Sequence, residues 1–239
     1  MSDKKPKMSE NPLYGRDSVK TAILVDGGFY RKRAKLLFGH KSPAERAKEL
    51  QEYCNRLLAS KFENRNLYRI FYYDCPPSDK TIYHPLTKKS VNLKKSDEYA
   101  WMIDFIAELT KKRKVALRMG RVSDETAQFQ LKYDILKKLF QGEITLEKLT
   151  ENDFQLNIKQ KGVDMRIGVD ISSLSFKKQV QQIILIAGDS DFVPAAKQAR
   201  REGIDFILDA MGSHVNADLF EHIDGMESVH QLKKFRKCE

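Results

Sequence analysis

Apolar residues gather into short runs along this chain, and one run organises the sequence around it. Ile183–Ala187 is a stretch of five consecutive apolar residues, which predicts a strand buried on both faces, as in a parallel sheet covered by helices. Gly188 then allows a turn, and Pro194 falls in the first turn of a predicted helix, where a missing N–H is tolerated. The turn between them places Asp189 and Asp191 at the carboxyl end of a central strand.

A second unit of the same kind stands near the start of the chain. Thr21–Val25 predicts another buried strand, and Asp26 follows it at once. Gly27 and Gly28 allow the backbone to turn tightly, and a basic helix is predicted over 31–37. An aspartate therefore again stands where an apolar strand ends, although a polar residue in a turn can equally serve the turn alone.

A third turn with an aspartate follows a predicted strand over 154–160, where apolar residues alternate. Gly162 turns the chain, and Asp164 is expected to be the N-cap of the next helix. Asp170 lies six residues further on, and about 100° of rotation per residue places it away from the face of Asp164. We expect Asp170 to support the site from outside or to be structural. By the same reasoning, Ser190 or Asp191 is expected to cap the helix after Asp189.

The rest of the chain predicts an alternation of helices and strands. Helices are predicted over 43–61, 97–112 and 128–142 with a short one near 146, and strands over 67–73, 115–122 and 204–208.

Between the predicted strand over 67–73 and the helix over 97–112 lies a long loop, residues 74–95, rich in lysine. Lysines beside the aromatic Tyr83 suit contact with phosphates and stacking on bases. A solvated lysine-rich loop explains the same composition equally well. The lysines that we expect to contact nucleic acid in this loop are Lys88, Lys89, Lys94 and Lys95, and His84 is expected to be a further loop contact.

Length and composition limit the classes of protein. The 239 residues suit one domain, predicted over 19–229, with a flexible polar tail at 1–18 and a basic tail at 230–239. No apolar run is long enough to span a membrane, and because the first residues are charged and lack the apolar segment of a signal peptide, none is expected there. The three cysteines match no metal-binding spacing and are expected to be reduced thiols of a cytoplasmic protein. The net charge of +10 favours a polyanionic partner, although many soluble proteins are basic.

The three turns together predict a site for a divalent cation. Neighbouring strands of a parallel sheet lie about 4.8 Å apart, so carboxylates at their shared carboxyl edge converge. Such carboxylates repel one another, and their pKa values rise unless a positive charge is near. Lys161 is the single lysine or arginine within these turns. Mg²⁺ takes oxygen ligands and can activate water for attack on phosphorus, and the basic residues around the turns suit a phosphodiester substrate.

These turns also resemble the three signature blocks of the NYN domain, the LabA-like branch of the PIN-domain nucleases. The blocks are residues 25–28, residues 161–164 with Asp170, and residues 188–194; they occur in the family's order, and the resemblance spans about 19–229. It implies a PIN-like three-layer α/β/α sandwich with a mainly parallel sheet. It also implies a Mg²⁺- or Mn²⁺-dependent endonuclease that acts on RNA. The residues that the resemblance places at the metal are Asp26, Asp164, Asp189 and, directly or through water, Asp191.

The resulting hypothesis is a ribonuclease in which Lys161 and the loop lysines position the RNA backbone. Phe29 stands near the place where many family members carry Asn, and Ser190 is expected to supply the polar group instead. A non-catalytic module for nucleic acid or protein that retains the acidic pocket is the first alternative. A small-molecule phosphohydrolase is the second, although that class carries Asp-x-Asp after its first strand, whereas here Asp189-Ser190-Asp191 follows a late one. A homo-oligomer is compatible with the sequence.

Overall fold

The computed structural model describes residues 18–59 and 63–229, without the side chains of residues 124–126. The predicted tails at 1–18 and 230–239 lie outside this part of the chain, apart from Ser18. Among the described residues, no helix has both the length and the apolar character needed to cross a membrane.

Strands and helices alternate over most of the described chain, as the sequence predicts. The strands are β1 Val19–Asp26, β2 Arg65–Asp74, β3 Thr81–His84, β4 Lys89–Asn92, β5 Val115–Met119, β6 Arg121–Leu131, β7 Phe154–Lys161, β8 Gln182–Ile186, β9 Asp205–Asp209 and β10 Gly225–Met226. The helices are α1 Gly27–Phe38, α2 Pro43–Leu58, α3 Asp97–Thr110, α4 Tyr133–Phe140, α5 Val163–Phe176, α6 Val193–Arg201 and α7 Ala217–Phe220.

Six strands form one parallel sheet in the order β10-β9-β8-β1-β2-β5. The two apolar runs that predicted buried strands, β1 and β8, lie side by side in its centre, with Val25 opposite Ile186. On its other side β1 pairs with β2, which brings Asp26 opposite Tyr73. All of these strands point the same way, so their carboxyl ends meet at one edge of the sheet.

Both faces of the sheet are covered, because successive side chains along a strand point to opposite sides. In β1, Ile23 and Val25 pack in the core formed with α1, α2 and α3. Ala22 and Leu24 pack in the core formed with α5, α6 and α7. The protein is therefore an α/β protein with the predicted three-layer α/β/α architecture.

Local sequence signals explain where the helices of the first layer begin. Ser42 caps α2, since its Oγ accepts a hydrogen bond from the Glu45 N–H while the Glu45 carboxylate accepts one from the Ser42 N–H. Pro43 occupies the first helical position. Ser96 caps α3 in the same way by accepting from the Tyr99 N–H at 3.1 Å.

The prediction of a long irregular loop at 74–95 is wrong, and so are two neighbouring assignments. Within that segment β3 and β4 form an antiparallel hairpin. Residues 128–131 are the end of strand β6 rather than the start of a helix, and the strand predicted over 115–122 is interrupted at Gly120. Hairpin hydrogen bonds explain the first error, because they order a polar segment that carries little apolar periodicity.

A more important correction concerns β7, the strand that precedes Asp164. It lies outside the parallel sheet and pairs antiparallel with β6 in a separate two-stranded sheet. We call residues 121–161, which include β6, α4 and β7, the arm. The β3–β4 hairpin packs against the arm, where the buried His84 ring lies 4.5 Å from the Phe129 ring and 4.9 Å from the Phe154 ring. His84 is thus a packing residue rather than an exposed loop contact.

Candidate metal and nucleic-acid site

Four neighbouring strands of the sheet carry an aspartate at or just beyond their carboxyl ends. Asp26 ends β1, Asp74 ends β2, Asp209 ends β9, and Asp189 follows β8 by three residues. Asp26 and Asp189 belong to the predicted site, whereas Asp74 and Asp209 were not predicted from the sequence. The four differ strongly in what surrounds their carboxylates.

Asp26 connects β1 to α1, and its observed hydrogen-bond donors are backbone N–H groups. As the N-cap of α1 it accepts one hydrogen bond from the Phe29 N–H at 3.1 Å. Burial, followed by the charges of Asp164 and Asp74, raises the pKa of Asp26 to about 6, against the opposing effect of the Phe29 hydrogen bond. A cation at this point would relieve the cost of the ionised form.

Asp164 reaches the same edge of the sheet by a different route from the one predicted. The N-cap of α5 is Gly162, with a φ of 79°, so Asp164 lies inside the first turn of α5 and is not its cap. The strand before it belongs to the arm, and the packing of α5 on the sheet therefore brings Asp164 to this edge, not the adjacency of parallel strands. Desolvation, followed by the charges of Asp189 and Asp191, raises the pKa of Asp164.

Asp189 and Asp191 occupy the turn between β8 and α6, and both are exposed. Asp189 caps a short 3₁₀ turn, since its Oδ1 accepts a hydrogen bond from the Asp191 N–H at 3.2 Å. The prediction that Ser190 or Asp191 caps α6 is wrong, because the N-cap position of α6 is held by Phe192 without a side-chain hydrogen bond. The side chain of Asp191 is therefore not committed to a cap.

Asp74, by contrast, is completely buried and has donors on every side. Arg31 donates two hydrogen bonds to it, from Nε at 2.9 Å and from Nη2 at 3.1 Å. The Tyr72 hydroxyl donates at 2.9 Å and the Cys75 N–H at 2.8 Å. Its charge is therefore compensated by the protein itself.

Asp209 is a second buried carboxylate, but it has no cation among its hydrogen-bond donors in the described structure. The Tyr53 hydroxyl donates to it at 2.6 Å and the Met211 N–H at 2.8 Å. Burial raises the pKa of Asp209 to about 6. Both Asp74 and Asp209 directly follow apolar strand residues, so the pattern that identified Asp26 could also have found them.

Close packing around Gly27 and Gly188 holds the elements of this edge together. A Cβ at Gly27 would lie 2.5 Å from the Asp74 carboxylate and 2.5 Å from the Tyr72 hydroxyl, so a larger residue here would force these neighbours or the start of α1 to shift. A Cβ at Gly188 would lie 2.4 Å from the Phe29 ring. Phe29 thus packs over the turn that leads to Asp189, between the first and third signature blocks.

Two of the predicted substrate-binding residues are neighbours of the acidic residues in the sequence. Lys161 is the exposed last residue of β7, and Ser190 is half-buried in the turn between Asp189 and Asp191. The neighbour of Lys161, Gln160, has its Oε1 4.0 Å from where a Cβ of Gly28 would be, so the end of β7 lies beside the start of α1.

The remaining predicted residues lie elsewhere. The loop lysines are exposed on the β3–β4 hairpin and the 3₁₀ turn that follows it: Lys88, Lys89, Lys94 and Lys95. Asp170 accepts a hydrogen bond from the Tyr73 hydroxyl at 2.8 Å and one from Arg118 Nε at 2.9 Å. These contacts tie α5 to β2 and β5, so the observed partners of Asp170 are structural ones.

The carboxylates suit an oxygen-seeking cation but do not form a closed cage. In residues 18–59 and 63–229, no three acidic, histidine or cysteine side chains stand ready to hold an ion by themselves. Mg²⁺ retains several water ligands and binds through one or two carboxylates together with substrate oxygens. The open set at this edge, with raised pKa values at Asp26 and Asp164, fits that mode of binding.

Comparison with known proteins gives one family. The model of the NYN domain matches residues 92–224, more than half of the 239 residues. The matched segment contains Asp164, Asp189 and Asp191, whereas Asp26 precedes it on β1 in the same sheet. None of the curated proteins compared with the chain matches it.

Solved structures resemble the chain only distantly. A protein of unknown function from Vibrio parahaemolyticus is 12% identical with a TM-score of 0.44, covering 90% of this chain and 95% of its own. A Sir2 enzyme is 11% identical with a TM-score of 0.32, covering 92% and 94%. A maltogenic α-amylase from Thermotoga neapolitana is 8% identical with a TM-score of 0.25, covering 92% and 51%. Scores of this size do not establish a shared fold or activity.

Proposed function

This chain belongs to the NYN domain family of PIN-like nucleases, and we propose that it is a cytoplasmic endoribonuclease of the LabA-like branch that depends on Mg²⁺ or Mn²⁺. Residues 19–229 form the proposed nuclease domain. The observation that carries the proposal is electrostatic: besides burial, the charge of Asp164 raises the pKa of Asp26, and the charges of Asp189 and Asp191 raise the pKa of Asp164. Carboxylates from three separate segments therefore share one field, and a doubly charged cation would stabilise them together.

Asp26, Asp164 and Asp189 are the proposed ligands of the ion, with Asp191 binding it directly or through water. When bound, the ion would supply Lewis-acid neutralisation of the phosphate charge and activation of a water for in-line attack on phosphorus. The two sides of the site are held by rigid elements, because Asp26 caps α1 and Asp189 caps the turn before α6. This arrangement would fix the direction from which the phosphodiester approaches.

The cationic and polar residues around the carboxylates have the proposed task of positioning RNA. Lys161 stands three residues before Asp164 and is exposed, so its ammonium group can contact a phosphate of the RNA strand that is cut. Ser190 is a proposed donor to phosphate or to ordered water, in place of the Asn found in many relatives. The exposed lysines of the β3–β4 hairpin add non-specific affinity for the backbone.

A non-catalytic RNA-binding module is a second candidate, favoured by one observation. No three potential ligands among the described residues are arranged to hold an ion without further contributions. In that case the carboxylates would bind metal weakly or not at all, and only the basic residues would act on RNA.

The decisive experiment is a cleavage assay with single-stranded RNA, structured RNA and DNA of the same sequence, in Mn²⁺, Mg²⁺ or EDTA. The ribonuclease proposal requires metal-dependent cleavage of RNA that is lost in Asp189→Asn and retained in Asp104→Asn. Asp104 is an exposed residue of α3 and matches the chemical change away from the site. Binding without cleavage in every metal would favour the non-catalytic module. Turnover of phosphomonoesters without cleavage of RNA would identify a phosphohydrolase instead.

A further inference from the structure

A cleft of about 540 Å³ opens beside the acidic site, between α1 and the start of α3. Gly28 lines it at one end, and a Cβ at Gly28 would lie 3.5 Å from Asp26 Oδ1, so the cleft begins next to the proposed metal ligand. Its volume lies in the range of pockets that hold small organic ligands. Its lining includes Arg31, Lys32, Lys35, Asp97, Glu98 and Trp101.

The α1 side of the cleft is cationic, and two of its cations are uncommitted. Arg31 is bound to Asp74, while Lys41 and Arg46 both pair with Glu49. Lys32 and Lys35, three residues apart on α1, are exposed and form no ion pair within the described residues. Two free ammonium groups on one helical surface suit a phosphate group.

The α3 side offers an aromatic surface and hydrogen-bond acceptors. The Trp101 ring stacks on Phe105 with centroids 5.0 Å apart, and its Nε1–H is already donated to the Lys41 carbonyl. Trp101 can therefore present only apolar and π surface to the cleft. Asp97 and Glu98, both exposed in the first turn of α3, can accept hydrogen bonds from hydroxyl or amino groups.

We infer that this cleft binds one unpaired nucleotide of the substrate strand, next to the phosphodiester that is cut. Its phosphate contacts Lys32 and Lys35, and its base lies against Trp101. The ribose hydroxyls, or the amino group of the base, donate hydrogen bonds to Asp97 and Glu98. The inference deepens the proposed ribonuclease function and rests on it for the identity of the strand. Since a base must leave the helical stack to enter a cleft of this kind, the protein prefers single-stranded RNA to duplex RNA.

The chain offers a direct optical test, because Trp101 is its single tryptophan. Purified protein in EDTA is titrated with a single-stranded RNA hexamer and with a blunt duplex of the same sequence, while tryptophan emission and the anisotropy of labelled RNA are followed. The expected result is saturable quenching by the single strand and at least about tenfold weaker binding of the duplex. RNA that binds by anisotropy and leaves the emission unchanged would overturn the inference.

A paired set of variants tests the cationic side. Lys32→Gln with Lys35→Gln removes both cations from one phosphate, and the slope of log K against log salt should become shallower by about 0.7, the contribution of one neutralised single-strand phosphate. The control is Lys112→Gln with Lys177→Gln, which changes the net charge equally just beyond the far ends of α3 and α5. Equal slopes for the two double variants would contradict the assignment of Lys32 and Lys35.

The outcomes separate this inference from the proposed activity. Quenching with no cleavage in any metal would retain the nucleotide cleft and remove the nuclease function. Cleavage without quenching, unaffected by Lys32→Gln with Lys35→Gln, would retain the nuclease function and remove the cleft.

Discussion

Asp26 and Asp74 end neighbouring parallel strands, and the protein treats them in opposite ways. Both come at the carboxyl edge of the sheet, with Asp26 opposite the residue just before Asp74. Asp74 receives hydrogen bonds from Arg31, Tyr72 and the Cys75 N–H. Asp26 receives one from the Phe29 N–H and lies within the field of Asp164 and of Asp74 itself. A place at the end of a strand therefore does not decide whether a carboxylate is structural or available for chemistry.

The counter-ion makes the difference. Arg31 lies in α1 about one turn after Asp26, and its side chain pairs with Asp74 at the end of β2. Asp74 thereby holds α1 against β2, while Asp26 keeps an uncompensated charge that an external cation can neutralise. The comparison leads to predictions that differ in the size of the expected effect.

Asp26→Asn should abolish cleavage while leaving the fold intact. We expect a loss of at least about 100-fold in the rate of RNA cleavage in Mn²⁺, since removing even a residue that supports a metal ligand costs 10- to 100-fold. The Asn side chain can still accept the Phe29 hydrogen bond and carries no charge, so the melting temperature in EDTA should stay equal or rise. The assay compares initial rates on labelled RNA. Full activity in this variant would mean that Asp26 is only a helix cap.

Asp74→Asn should give the reverse result, a large loss of stability. It leaves Arg31 next to an uncharged partner in a largely buried position, and a loss of about 3 kcal/mol in the free energy of unfolding is expected. Urea denaturation measures it.

Arg31→Gln completes a double-mutant cycle with Asp74→Asn. If the two residues form one unit, the double variant loses less stability than the sum of the single variants. Additive losses would show that the ion pair does not link α1 to β2.

Asp209 extends the comparison. It is buried, as Asp74 is, and among the described residues it forms no ion pair, which it shares with Asp26. Its folded pKa of about 6 lies above the unfolded value of about 3.9, so the folded state binds more protons between these values. Stability should therefore fall as the pH rises from about 4 to 6 and remain lower above that, by about 3 kcal/mol, since one pKa unit corresponds to about 1.4 kcal/mol. Urea titrations in EDTA at several pH values measure the fall, and Asp209→Asn should flatten it. An unchanged profile would assign the pH dependence to other groups, Asp26 among them.

The smallest predicted effect concerns the glycines that start α1. Gly27→Ala places a methyl group against the Asp74 carboxylate and the Tyr72 hydroxyl, and a loss of about 1 kcal/mol in stability is expected. Gly28→Ala is the matched control, since its nearest neighbour, Asp26 Oδ1, would be 3.5 Å away, an ordinary contact. Thermal melts of both variants compare them. Equal melting temperatures would show that α1 can shift without disturbing the partners of Asp74.

Much of the fold could be predicted because its central strands are buried on both faces. Continuous apolar runs are rare outside covered parallel strands, so β1 and β8 were identified with only small errors at their ends. The alternation in β7 was recognised as a strand, but its partner was not predictable. A period of two is shared by the strands of a sheet and by an exposed hairpin, and nothing local to residues 154–161 indicates β6.

The candidate site was predictable only in part for a similar reason. Strand ends identified Asp26 and Asp189 because the connection from strand to helix is local. Whether a carboxylate is neutralised depends on residues far away in sequence, such as Arg31, which lies 43 positions before Asp74. The approach of Asp164 depends on how α5 packs against the sheet, which no pattern within that helix specifies.

The arm leaves the body of the protein at Gly120 and returns to it at Gly162. A Cβ at Gly120 would lie 2.8 Å from the Lys161 carbonyl, and Arg121 pairs with Lys161, so the two chain segments cross at a narrow stem. The arm contributes no strand to the parallel sheet, so we expect changes in its length beyond this stem to leave the six sheet strands in place. Under the proposed function, such changes would alter which RNAs are bound, while the acidic residues that catalyse cleavage stay the same.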